Sequence, residues 1–412
     1  MYKKVFLLLV LILGGFVSPL RAQDYDIVIK GGHLIDPKNN IDEIMDVAIG
    51  DKKIVLIAKN IDAKLAQVID AKGLYVTPGL IDIHSHNFYG TKEDHYLGDG
   101  FEALPPDGFT FRSGVTTVVD AGGAGWKTFA TFKSQTMGHS KTRVLAFLNI
   151  VGEGMRGGAY EQNPNDMDSK MTAMVVKQNK EIVGIKVAHY MGHEWEPVDR
   201  AVDAGKMANV PIMVDFGGSE PPLSIEELFM QHLRPGDIFT HAFAQLATRV
   251  SIVDEKGKLR PFIVPAQKRG IIFDVGHGGG SFRFSQAVPA LKSGFIPNTI
   301  STDYHTGSMN GGMKDQSNVM SKFLNMGMTM PQVIAASTWK PAQVIHREEL
   351  GHLSQGAVAD VAIFGVRKGK FGFIDSSGFK IDGDQRLECE LTIRDGNVVY
   401  DLNGISRPYW NK

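Results

Sequence analysis

The sequence predicts an α/β protein: a (β/α)8 TIM-type barrel with a small β-sandwich domain built from both chain termini. Three observations carry this expectation. The chain has 412 residues, 43% of them hydrophobic, which suits a large barrel with an accessory unit. From Leu80 to Asp303, eight short apolar runs recur about every 25 to 35 residues with helical or loop text between them, the rhythm of repeated β/α units. On either side of that stretch the text is β-like, with short alternating runs broken by Gly, Asn and Asp.

The first 22 residues stand apart from this plan. Lys3 and Lys4 precede the apolar run Val5 to Val17, and small residues follow near Arg21-Ala22-Gln23. That pattern describes a signal peptide over 1–22, cleaved after Ala22, so that the mature chain starts near Gln23 in an exported compartment, periplasmic or extracellular. The run is short for a transmembrane helix, and no stable membrane span is expected after cleavage. An uncleaved N-terminal anchor is the competing reading.

Residues 23–77 and 340–412 are expected to form the β-sandwich domain, and 78–339 the barrel. Asp26 to Lys30, Asp46 to Ile49, Lys53 to Ile57 and Val68 to Tyr75 read as short strands. The barrel runs are Leu80–Ile83, Val115–Asp120, Val144–Ile150, Ile182–Val187, Pro211–Phe216, Asp237–His241, Ile271–Val275 and Thr299–Asp303. Arg200 to Ala208 and Ile225 to His232 read as intervening helices. Gly356 to Phe364 is a turn feeding a strand, and Leu391 to Tyr400 is a hairpin turning at Asp395-Gly396.

The formal net charge is −1 and the pI near 6.9, which gives no electrostatic footprint for nucleic acid. A small-molecule substrate is the expected partner, and a homo-oligomer is compatible with the sequence. Cys389 is the single cysteine. Export permits disulfides, but none can form within the chain, and a metal site cannot be built from thiolates.

The chemistry lies at the carboxyl ends of the runs. His84 and His86 stand at i and i+2 and project from the same side of an extended strand. Two such imidazoles make a metal half-site. The fourth run ends on Lys186, the fifth on Asp215, the sixth on His241, the seventh on His277 and the eighth on Asp303, Tyr304 and His305. In a barrel these ends converge on one face. A strand-end His or Asp alone usually caps a loop, but six ends agreeing points to a divalent cation such as Zn²⁺. Lys186 ends an apolar strand, where its charge must be paired or removed. Carbamate formation with CO₂, giving an anionic bridge between two cations, and a salt bridge to a carboxylate such as Asp82 both satisfy that need.

The motif Pro78-Gly79-Leu80-Ile81-Asp82-Ile83-His84-Ser85-His86 resembles the first strand of the amidohydrolase superfamily of metal-dependent hydrolases. Gly184-Ile185-Lys186 resembles its carboxylated-lysine strand, and Thr240-His241 and Ser301-Thr302-Asp303 resemble its sixth and eighth strands. Gly31 to Pro37, Ala71 to Pro78 and Gly356 to Phe364 resemble its flanking β-sandwich halves. Phe273 to Phe282 resembles the dihydroorotase-like branch with its deacetylases and esterases of acylated amino or hydroxy acids.

The resemblance implies two divalent metal ions, with Zn²⁺ the expected ion. His84, His86 and Asp303 would hold the deeper one, a carboxylated Lys186 would bridge, and His241 would bind the second. A metal-activated hydroxide would attack an amide or ester carbonyl, with Asp303 passing its proton to the leaving group. The chain departs from the family at the fifth strand, where Asp215 stands in place of the usual histidine. Asp215 as a ligand, substitution by His189 or His193, and loss of the second metal are the alternatives. For substrate, Arg156 could clamp a carboxylate, and His277, Tyr304 and His305 could line the pocket. The competing functions are a mononuclear, deaminase-like hydrolase and a non-catalytic binding protein on the same scaffold.

Overall fold

A computed structural model describes residues 25–89, 102–155, 159–215 and 221–411. The expected signal peptide, its cleavage point and Arg156 lie outside the described residues. Among the described residues no helix is long and apolar enough to cross a membrane.

The chain opens with five short strands, β1 (Ile27–Asp36), β2 (Ile41–Gly50), β3 (Lys53–Ala58), β4 (Gln67–Asp70) and β5 (Tyr75–Pro78). The barrel strands follow: β6 (Leu80–Ser85), β7 (Val115–Gly125), β8 (Arg143–Asn149), β9 (Ile182–Ala188), β10 (Ile212–Asp215), β11 (Ile238–Phe239) and β12 (Ile272–Phe273). β13 (Val361–Ile374), β14 (Lys380–Arg394) and β15 (Asn397–Asp401) end the chain. The seven strands β6 to β12 form one sheet in sequence order, and every pair in it is parallel. Their apolar runs are buried along nearly their whole length, as parallel strands covered on both faces must be.

The eighth run, Thr299–Asp303, is not a regular strand. It makes single parallel bridges, Asp274 to Thr299 on one side and Ser85 to Tyr304 on the other. Val275, His277 and Gly278 donate backbone N–H groups to Thr299, Ser301 and Thr302, while Asp303 N–H donates to His84 O and His86 N–H to Tyr304 O. The segment therefore closes the sheet between β12 and β6, giving a TIM-like barrel. Asp303 sits at φ 53°, in the left-handed region that interrupts a ladder.

Inside, Ile81, Ile83, Val119, Leu145, Phe147, Val183, Met213 and Ile238 from successive strands β6 to β11 form one apolar cluster. This plug fills the barrel below the strand ends, as interior layers do in this architecture.

Both chain ends build a second sheet of eight strands, with the path β15-β14-β13-β5-β1-β2-β3 and β4 paired to β1. The β14–β15 turn has Asp395 at φ 52° and Gly396 at φ 74°, two positive φ values in a two-residue hairpin turn. β13 and β14 continue far past the core of this sheet. Phe364, Phe373, Leu387 and Cys389 from that long hairpin pack into the main barrel core.

Candidate metal centre

His84 is the penultimate residue of β6 and His86 follows the strand, and both rings turn to Asp303 across the barrel closure. Their Nε2 atoms stand 3.5 and 3.0 Å from Asp303 Oδ1. The protonation of His84 follows from its other nitrogen. Thr240 Oγ1 donates to Asp274 Oδ2 at 2.8 Å and so accepts from His84 Nδ1, also at 2.8 Å. Asp274 is held in turn by the hydroxyls of Thr299 at 2.6 Å and Ser301 at 2.7 Å. His84 Nδ1 therefore carries the hydrogen, and Nε2 presents a lone pair toward a carboxylate. Burial, then the nearby Lys186, push His84 down to about 3, which keeps the ring neutral. A lone pair facing a carboxylate in a buried pocket suits a cation between them.

Lys186 is fully buried in β9, with Nζ 3.3 Å from His84 Nε2 and 3.7 Å from Met213 Sδ. Its stem passes Gly122, at φ 93°, where an added Cβ would stand 2.7 Å from Lys186 Cγ. Burial lowers the pKa of the amine, against the pull of Asp215 and Asp303. The expected alternative partner, Asp82, is engaged elsewhere. It accepts from His84 N–H and Thr302 N–H, both at 3.1 Å, and from the Thr302 hydroxyl. Burial raises that carboxyl to about 7.

The other half of the site centres on Asp215. His241, at φ 55°, donates Nδ1–H to Gly276 O at 2.6 Å and places Nε2 3.2 Å from Asp215 Oδ2. His189 Nε2 approaches the same oxygen at 3.4 Å, and its Nδ1 donates to buried Glu161 at 2.9 Å. Arg249 holds the other oxygen, Oδ1, at 3.1 Å, and donates to Thr240 O at 2.7 Å. Burial opposes the charge on Asp215, but His241 and its neighbours carry its pKa well below the ordinary value. The ligand atoms of His84, His241 and Asp303 lie within 4.8 Å of one another, so the two halves are contiguous.

Of the residues expected from the sequence, His84, His86, Lys186, Asp215, His241, Asp303 and His305 all line one cavity of about 230 Å³. Two expectations are corrected. His277 does not line it: the ring is buried, donates to Gly278 O at 2.9 Å, accepts from Lys322 Nζ at 2.6 Å and stacks on Phe282 at 4.4 Å. Tyr304 does not line it either, because the turn at Asp303 sends its ring to Phe109 and a separate small cavity beside Asp82 and Gln316. His193 faces Pro221 O, and Asp120 accepts three backbone N–H groups, so neither is in the site. Asp274, Glu161 and Arg249 were not anticipated. The one signal for Asp274 was a carboxylate inside the apolar run Ile271–Val275; for Glu161 and Arg249 the local sequence holds none.

This geometry has parallels among known proteins. Residues 257–400 match the model of the amidohydrolase family. A deacetylase of Brucella anthropi is 34% identical over 349 residues, spanning 82% of this chain and 83% of that protein. The crystal structure of an adenine deaminase superposes with a TM-score of 0.82 at 28% identity, over 92% of this chain and all of the other. That of a dihydroorotase superposes with a TM-score of 0.79 at 29% identity, over 91% and 99%.

Proposed function

The chain belongs to the amidohydrolase superfamily and is a hydrolase of carbon–nitrogen bonds, and from that premise we propose that its substrate is an acylated small acid. An N-acyl amino acid or O-acyl hydroxy acid would lose its acyl group by hydrolysis of the amide or ester. The observation that carries its metal-dependent part is the pair of Nε2 atoms, from His84 and His86, converging on one oxygen of Asp303. The similarity to a named deacetylase over most of both chains supports removal of an acyl group.

His84, His86 and Asp303, with Lys186 as a carbamate, would hold divalent ions, of which Zn²⁺ suits a donor set of imidazole and carboxylate. Such ions lower the pKa of water and polarise a carbonyl oxygen. Asp303 holds the proton-transfer position. Burial works against its charge, but the His86 imidazole hydrogen-bonded to it keeps the carboxyl well below its usual range, so it is ionised and able to accept a proton from water. It would return that proton to the leaving amine or alkoxide. His305, braced by Glu102 at 2.6 Å, reaches within 3.8 Å of Asp303 Oδ2 at the cavity wall, where it would meet the substrate. The same reading takes 78–339 as the hydrolase barrel, 23–77 with 340–412 as a β-sandwich, and the mature enzyme as exported.

The experiment is metal analysis of purified protein joined to a screen of N-acyl and O-acyl acids. Metal-dependent release of a carboxylic acid is expected. Lys186→Ala should lose metal and at least 100-fold in activity, a loss of about 3 kcal/mol in transition-state stabilisation, and short carboxylic acids should restore part of both. Full activity in Lys186→Ala, or turnover that survives complete metal removal, would sink the mechanism.

A further inference from the structure

We propose that His189 is a metal ligand, forming with Asp215 and His241 a second two-histidine, one-carboxylate half-site in which Glu161 is the positioning residue. This deepens the metal-dependent reading above and rests on it. Two imidazole nitrogens approach a single carboxylate oxygen, Asp215 Oδ2, at 3.2 Å from His241 and 3.4 Å from His189. The inner half repeats the pattern, with His86 and His84 at 3.0 and 3.5 Å from Asp303 Oδ1. Ligand atoms held at about 2.0–2.1 Å by a tetrahedral zinc stand roughly 3.3 Å from one another. A proton shared directly between imidazolium and carboxylate draws the atoms to about 2.7–2.9 Å. Both imidazole spacings to Asp215 Oδ2 match the first case.

The remaining contacts of His189 are those of an oriented ligand. Its Nδ1 donates to Glu161 Oε2 at 2.9 Å, leaving Nε2 to the cavity. Glu161 is buried to 1% exposure and is steadied through its other oxygen by Asn149 at 3.4 Å. A carboxylate on the far nitrogen fixes the ring and raises its basicity. The backbone is fixed as well. His189 sits at φ 51°, donates its N–H to Asp215 O at 3.2 Å and accepts from Gln162 at 2.7 Å. Side chains other than glycine are held in that region only where surrounding contacts impose it. Arg249 occupies Asp215 Oδ1, so Oδ2 is the oxygen left for an ion.

The test strips the full chain of metal, reloads it with Zn²⁺, and measures stoichiometry and affinity by elemental analysis and chelator competition. Wild type should hold two ions per chain. His189→Ala should hold one, with the affinity of the tighter site unchanged. Glu161→Gln should keep two and weaken only the looser one, about 10- to 100-fold. His193→Ala, whose ring faces Pro221, should match wild type. Two ions at unchanged affinity in His189→Ala, or unchanged affinities in Glu161→Gln, overturn the inference. One ion in wild type that His189→Ala retains and His84→Ala loses also overturns it, while leaving a mononuclear hydrolase standing. No ion in wild type would overturn both readings together.

Discussion

The inner histidine is set by a carboxylate that it does not touch directly. Asp274 stands 3.8 Å from His84 Nδ1 and acts through the Thr240 hydroxyl, which accepts from the ring and donates to the acid. Asparagine at 274 would replace one acceptor oxygen by a donor, and the hydroxyls of Thr240, Thr299 and Ser301 would compete for the other. Asp274→Asn is therefore expected to weaken the tighter metal about 10- to 100-fold. Thr240→Val should do the same and Thr240→Ser should not. Wild-type affinity in Asp274→Asn, measured by chelator competition, would show that the relay is incidental. At this scale the sequence was readable where geometry is local. His84 and His86 share a strand face by the i, i+2 rule, and both reach Asp303. It was unreadable where the backbone leaves the regular pattern. The left-handed turn at Asp303 sends Tyr304 away from the cavity, and Lys322, distant in sequence, captures His277.

Elements show a similar division. The apolar runs of the barrel were legible because parallel strands are buried on both faces, and β6 to β12 fall on them. The long β13–β14 hairpin was not. The expected strand ends at Phe364, yet the observed one runs on through Val366-Arg367-Lys368-Gly369-Lys370 to Ile374 and carries the hairpin tip to the barrel. At that tip Asp375 Oδ2 accepts from Phe284 N–H at 3.2 Å, and Ser376 exchanges hydrogen bonds with Phe282 at 3.0 and 3.1 Å. Lys322 ties Ile374 O to His277 at 2.6 Å each. These contacts anchor the far end of a segment whose Gly279, Gly280 and Ser281 line the metal cavity. Asp375→Ala leaves the buried N–H of Phe284 without its acceptor, a loss of about 1–3 kcal/mol. Hydrogen exchange over 279–284 should then quicken and KM should rise, with bound metal unchanged. Unaltered exchange in that segment would show that the tip does not hold it.

For the molecule as a whole, the site lies on the barrel's closing seam. β6 is its first strand, and the 299–304 segment that meets it is joined only by single bridges and scattered backbone bonds. Neither a regular eighth strand nor its hydrogen-bond ladder completes the circle, and periodicity in the sequence could not reveal that. His84, His86 and Asp303 flank this seam, so an ion shared among them would fasten the two ends of the barrel as well as serve catalysis. Linkage gives the size of the effect: a ligand at about 1,000 times its Kd stabilises by about 4 kcal/mol. For a chain of this size that corresponds to a rise in Tm of about 5 °C. Metal-stripped wild type is therefore expected to melt earlier by about that amount, and Zn²⁺ to restore it. His84→Ala should lose most of the response, whereas His189→Ala, lacking only the ion away from the seam, should keep the larger part. Equal losses in the two variants would mean that the seam is not what the metal stabilises. Identical melting of stripped and loaded wild type would mean that the weak closure needs no ion.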